Sequence, residues 1–139
     1  MRVIIDTNVL ISMLISGSFS WLRDKFESRY ITFVFSEELF SEFVTVAMRP
    51  KFRRWFSEAE VAELLQLLSS VSEVYTVNKS SSIKSRDSND DFLLALALES
   101  KADYLVSGDD DLLVLDQIGI TKVVTPNNFK NILYGLDSS

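Results

Sequence analysis

The chain has neither cysteine nor histidine in its 139 residues. Without cysteine it can form no disulfide and offers no thiolate as nucleophile or metal ligand. This composition is compatible with a reducing, cytoplasmic setting. Without histidine, the Ser-His-Asp triad, the Cys-His pair and the imidazole metal site are excluded together. Any chemistry then falls chiefly on carboxylates. Glycine (four) and proline (two) are scarce, so little of the chain reads as linker. No apolar run reaches the ~20 residues of a membrane span, and no membrane association is expected. The opening MRVIIDTNVLISMLI resembles a leader only briefly: Asp6 and Asn8 interrupt it, and no small-residue cleavage site follows. Positive charge is short as well, with 14 Lys and Arg against 20 Asp and Glu, a net −6. That argues against a bulk positive field for nucleic acid, but not against a local basic patch or phosphate held through a cation.

What is present is apolar and periodic. With 47% hydrophobic residues, the chain can build a core, and its length suits one domain, read as 1–135 with a short tail at 136–139. RVIID, YITFVF, EVYTV, DYLVS and TKVVT read as strands. TNVLISMLI, with Thr7 or Asn8 able to cap and Gly17 ending it, reads as a helix. So do SWLRDKFES, EELFSEFVTVAM after Ser36, and SEAEVAELLQLLSSV with Ser57 and Glu60 as a capping box. DDFLLALALES, the short DLLVLDQIG, and PNNFKNILYG with Gly135 past its end complete the set. The alternation predicts an α/β fold, a parallel sheet of four to five strands between helices.

In such sheets ligands bind beyond the carboxyl ends of the strands, and the acids fall there. Asp6 follows the first strand, Glu42 lies in the helix after the second, Asp90 and Asp91 open a helix, and Asp109, Asp110 and Asp111 follow the fourth strand. Converging carboxylates repel and raise each other's pKa unless a cation neutralises them. An all-oxygen site suits Mg²⁺ or Mn²⁺, which can activate water and polarise a phosphoryl oxygen. Each acid also has a plainer reading. Asp6 could cap the first helix, and Glu42 could be an exposed helix residue. Asp87 fits an N-cap with Asp90 at its third position, which favours Asp91 for chemistry. Asp109 to Asp111 could cap the next helix. The run RPKFRR, residues 49–54, is more often a solvated surface than a binding site.

IIDTNVLIS, SEELFSEFVTVAMRPKF, RDSNDDFLLALALESKADYLVSGDDDLL and VVTPNNF resemble, in order, the motifs of PIN-domain proteins, above all the branch of prokaryotic toxin–antitoxin toxins related to the VapC ribonucleases. The similarity runs from residue 2 to about residue 130. It implies a three-layer α/β/α sandwich and a metal-dependent nuclease site of four acids: Asp6 of DTN, Glu42 before RPKF, Asp91 opening DFLLALALE, and Asp109 of SGD. Asn8 and Ser107 match supporting polar positions, and Asp111 a further acid that binds metal through water or holds the loop. Ser107 stands where Thr is commoner, and Asp110 where Lys or Arg is frequent.

The expected function is therefore a Mg²⁺- or Mn²⁺-dependent endoribonuclease on single-stranded RNA, the toxin of a toxin–antitoxin pair, working with a cognate antitoxin and as a homodimer. Arg49, Lys51, Arg53, Arg54, Lys84 and Arg86 are candidate guides for the RNA backbone. Two other readings compete. One is a small-molecule phosphohydrolase, disfavoured because DTN lacks a second Asp two positions on. The other is a non-catalytic module that binds metal or RNA, disfavoured by four intact acids.

Overall fold

Val3, Ile4 and Ile5 of strand β1 (Arg2–Ile5) are all fully buried. Successive strand residues point to opposite faces, so both faces of this strand are covered. The same holds for Phe33, Val34 and Phe35 of β2 (Thr32–Ser36). Apolar residues on both sides of a strand require helices above and below it. The computed structural model, which describes residues 1–17, 23–25, 30–76 and 91–137, has that three-layer arrangement.

Among the described residues six strands form one sheet in the order β3-β2-β1-β4-β6-β5. The others are β3 (Ser72–Tyr75), β4 (Tyr104–Val106), β5 (Gln117–Ile118) and β6 (Thr121–Val124). Five are parallel, and only β5 runs antiparallel, against β6. The helices are α1 (Thr7–Ser16), α2 (Glu37–Ala47), α3 (Glu58–Val71), α4 (Asp91–Ser100), α5 (Asp110–Leu113) and α6 (Pro126–Asp137), with a 3-10 turn at Pro50–Phe52. Ser36 caps α2 through Leu39 N–H, and Ser57 with Glu60 forms the expected capping box on α3. α1 ends at Gly17, whose φ of 75° needs no Cβ. Of the helix expected over SWLRDKFES only residues 23–25 are described, and they are helical.

Three local expectations are corrected. Asp6, not Thr7 or Asn8, caps α1, and Thr7 is its first residue. DLLVLDQIG is not one helix. α5 stops at Leu113, Asp116 takes a left-handed φ of 63°, and Gln117–Ile118 turn back as β5. The β5–β6 hairpin closes through Gly119 and Ile120, with Gly119 at φ 59°, the conformation a two-residue loop demands. Gly135 does not end the last helix, which continues to Asp137. Asp87 and Asp90 lie outside the described residues.

The chain winds from β1 outward through β2 to β3, then resumes on the other side of β1 with β4 and β6. The winding direction reverses between β1 and β4. That reversal leaves a crevice beyond the carboxyl ends of those two strands.

Candidate active site

Ile5 pairs with Val106, and the Asp6 amide donates to the Val106 carbonyl at 3.0 Å. The next residue on each strand is therefore Asp6 beside Ser107, at the crevice. Both are buried. The Ser107 hydroxyl donates to Asp6 Oδ2 at 2.9 Å and accepts from the Asp109 amide at 3.0 Å. Asp109 Oδ1 in turn accepts from the Asp111 amide at 2.9 Å, capping α5. The other Asp6 oxygen receives a long bond, 3.4 Å, from the Asn8 amide. The capping reading holds for both: each acid caps a helix, and one serine hydroxyl links the two.

This arrangement is electrostatically costly. Burial pushes the Asp6 carboxyl above the usual carboxylate range, and the charge of Asp109 pushes the same way. The Ser107 and Asn8 hydrogen bonds oppose this but do not reverse it. Thr7 Oγ1 is also buried there without a hydrogen-bond partner.

Beside the acids opens a cleft of about 690 Å³. Its floor is one face of α1. Asn8, Ser12 and Ser16 recur every four residues as a polar stripe, with Val9 and Met13 beside them. Gly108 and Asp109 form one end, and Pro126, Asn127 and Lys130 of α6 form the wall. The Thr125 hydroxyl accepts from the Asn128 amide at 3.1 Å, which fixes the start of α6 at the crevice. Sequence reading missed Ser12, Met13, Asn127 and Lys130. The four-residue polar recurrence on α1 was the signal that could have found that face.

The other expected residues are placed as follows. Asp111 is half-buried and Asp110 exposed on α5. Of Asp91 the backbone is described, as the first residue of α4. Glu42 is exposed on α2. One turn earlier on the same flank, Glu38 carries a buried carboxylate oxygen with no hydrogen-bond partner, a feature the sequence did not single out. Among the described residues no group of three or more acids that could hold a metal is assembled. Mg²⁺, however, is commonly held by one or two carboxylates together with waters and substrate phosphates. Asp6 and Asp109, all-oxygen and mutually repelling, fit such an ion. Among the described residues no helix is long and apolar enough to cross a membrane.

The model of the PIN-domain family matches residues 2–111. The chain is 33% identical over 118 residues to an uncharacterized protein of Methanocaldococcus jannaschii, covering 82% of this chain and 74% of that protein. Among solved structures it is similar to VapBC2 from Rickettsia felis, bound to a DNA fragment from their promoter. The TM-score is 0.57 at 13% identity, covering 90% of this chain and 98% of that one. At that identity the likeness is one of fold.

Proposed function

The chain belongs to the PIN-domain family, a family of nucleases that generally use divalent metal ions, and on that premise we propose that it is a Mg²⁺- or Mn²⁺-dependent endoribonuclease cutting single-stranded RNA. The observation that carries the reading is the pair Asp6 and Asp109, linked through Ser107 beside a cleft of about 690 Å³. Asp6 and Asp109 would hold the cation, with Asp91 and Glu42 completing the set and Asp111 supporting it. When bound, the ion supplies Lewis acidity toward the phosphodiester and an activated water.

The chain's own groups do the positioning. Ser107 donates to Oδ2 of Asp6, a residue that lines the cleft, and so holds that carboxylate in place. The Asp111 amide fixes the Asp109 carboxylate. Val9, Met13 and Pro126 offer apolar walls to a base or ribose, and Lys130 brings positive charge to the wall of an otherwise acidic site. Because its fold neighbour is a toxin–antitoxin complex, we read the chain as a toxin component. Its antitoxin would enter the acidic cleft with a basic side chain, and the toxin would work as a homodimer in the cytoplasm.

The test is cleavage of a labelled single-stranded RNA by the purified chain with Mn²⁺. EDTA should stop cleavage, and Asp6→Asn should abolish it. Cleavage that survives both overturns the reading. Metal binding by calorimetry with no turnover on any nucleic acid would replace it with a non-catalytic module.

A further inference from the structure

Between α2 and α3 the chain makes a tight knuckle, residues 48–57, reading MRPKFRRWFS. It holds four cations and no acid, within a chain of net charge −6. Its backbone is firmly built. The Phe52 amide donates to the Arg49 carbonyl at 3.1 Å, Arg53 to Pro50 at 3.0 Å, and Trp55 and Phe56 both to Phe52 at 2.9 and 3.1 Å. Phe52 and Phe56 are buried and stacked, with centroids 5.6 Å apart, and they anchor the knuckle to the core. Arg53 belongs to this scaffold. Its Nη2 donates to the Ala47 carbonyl at the end of α2, and its guanidinium lies over Phe56, with Nε and Nη1 turned inward.

The outer surface is different. Trp55 is 45% exposed, and Arg54 lies over its ring at 4.8 Å. Arg49 and Lys51 are exposed beside it, with Lys51 5.1 Å from the Phe52 ring. A rigidly held, half-exposed indole among three exposed cations combines the two features that bind single strands, a stacking platform and backbone neutralisation. A duplex would keep its bases stacked on one another and leave the indole unused.

We propose that this knuckle is a binding surface for single-stranded RNA, with a base stacked on Trp55 and phosphates on Arg49, Lys51 and Arg54. The proposal deepens the reading of the Asp6–Asp109 cleft as a ribonuclease site and rests on RNA being its substrate. α2 starts at the carboxyl edge of the sheet and runs for 11 residues, about 16 Å at 1.5 Å per residue. The knuckle at its far end is therefore a separate contact, which only an RNA of several nucleotides could share with the cleft.

The test measures binding of a fluorescein-labelled, 12-nucleotide single-stranded RNA to the full chain in EDTA, where turnover plays no part. A Trp21→Phe background leaves Trp55 as the one indole. RNA should quench Trp55 emission. Trp55→Ala should weaken binding about tenfold. Lys51→Glu with Arg54→Glu should weaken it further and lower the salt slope by about 1.4. These side chains are on the surface, so melting temperatures should hold. With Mn²⁺, the variants should raise KM for long RNA and leave cleavage of a dinucleotide unchanged. Unaltered emission, or unaltered affinity in both variants, overturns the proposal. So does a poly-glutamate peptide that binds the knuckle as tightly as RNA, which would reassign it to an acidic protein partner. Trp55-dependent RNA binding with no cleavage would leave this surface standing and remove the nuclease reading. Cleavage with no Trp55 dependence would do the reverse.

Discussion

The two ends of β1 handle charge in opposite ways. Near the amino end, the Arg2 guanidinium donates to Glu73 Oε2 at 2.8 Å, to the Ser100 carbonyl at 2.5 Å and to the Tyr75 hydroxyl, while its backbone amide donates to Asp103 Oδ2 at 2.8 Å. One residue ties together β3 and the end of α4 through its cation, and the approach to β4 through its backbone. At the carboxyl end, four residues on, Asp6 is buried beside a second acid. The Ser107 hydroxyl and the backbone of Asn8 and Thr7 support it, yet its pKa is raised by that burial and that neighbour. The first end is arranged for stability. The second keeps an electrostatic deficit that a cation would relieve, the pattern expected where a fold gives up stability for function.

The sharpest way to break this contrast is Asp6→Asn. Cleavage should fall about a thousandfold or more, the scale of losing a principal transition-state charge interaction. Yet in metal-free protein at neutral pH the melting temperature should hold or rise, because a desolvated charge has been removed and the amide oxygen still accepts from Ser107. A lower melting temperature with activity retained would make Asp6 a helix cap and nothing more. Arg2→Ala should do the opposite. It should cost about 1–3 kcal/mol in urea denaturation, mostly from the part-buried hydrogen bonds, since the half-exposed pair with Glu73 contributes little. The kcat should not change.

That contrast was half legible in the sequence. Asp6 and Asp109 could be placed because strand ends are visible in RVII and YLV, and the winding rule then brings their ends together. Ser107 came from the resemblance alone, as a supporting polar position of the family. Glu42 was harder. It sits in the middle of a helix, where phase and packing against α1 and α4 decide what a side chain meets, and Glu38 on the same flank is the one with a buried oxygen. The role of Arg2 was hidden too, because its partners are 71 to 101 residues away. β5 was misread because the leucines and valine of DLLVL have helical spacing, while the break comes from left-handed Asp116 and Gly119, which periodicity does not register.

The deficit at the carboxyl end also has a pH signature. Asp6 binds its proton more tightly folded than unfolded. In EDTA its contribution to stability is therefore full below the unfolded pKa and is lost as pH rises through the folded one. Subtracting the Asp6→Asn curve from wild type, by chemical denaturation across a pH series, should isolate that decline. Saturating Mn²⁺ favours the ionised form and should flatten or invert it. A difference curve with no slope in EDTA would mean that Asp6 is not held at an electrostatic cost.

The acidic run itself spans the range from the largest effect to the smallest, and that gradient tests how local the deficit is. Asp109 faces the cleft and shares Ser107 with Asp6, so Asp109→Asn should match Asp6→Asn in activity. Asp111 is half-buried and meets Asp109 through its backbone amide, which an Asn also has. Its replacement should therefore weaken turnover only several-fold, the size of one lost polar contact. Asp110 is exposed, and what it adds is charge in the first turn of α5. Asp110→Asn should shift stability by no more than about 0.5 kcal/mol and leave cleavage unchanged. Equal losses from all three would mean that the cleft responds to the total negative charge of its rim. Graded losses would mean that it depends on two carboxylates held in register by one serine.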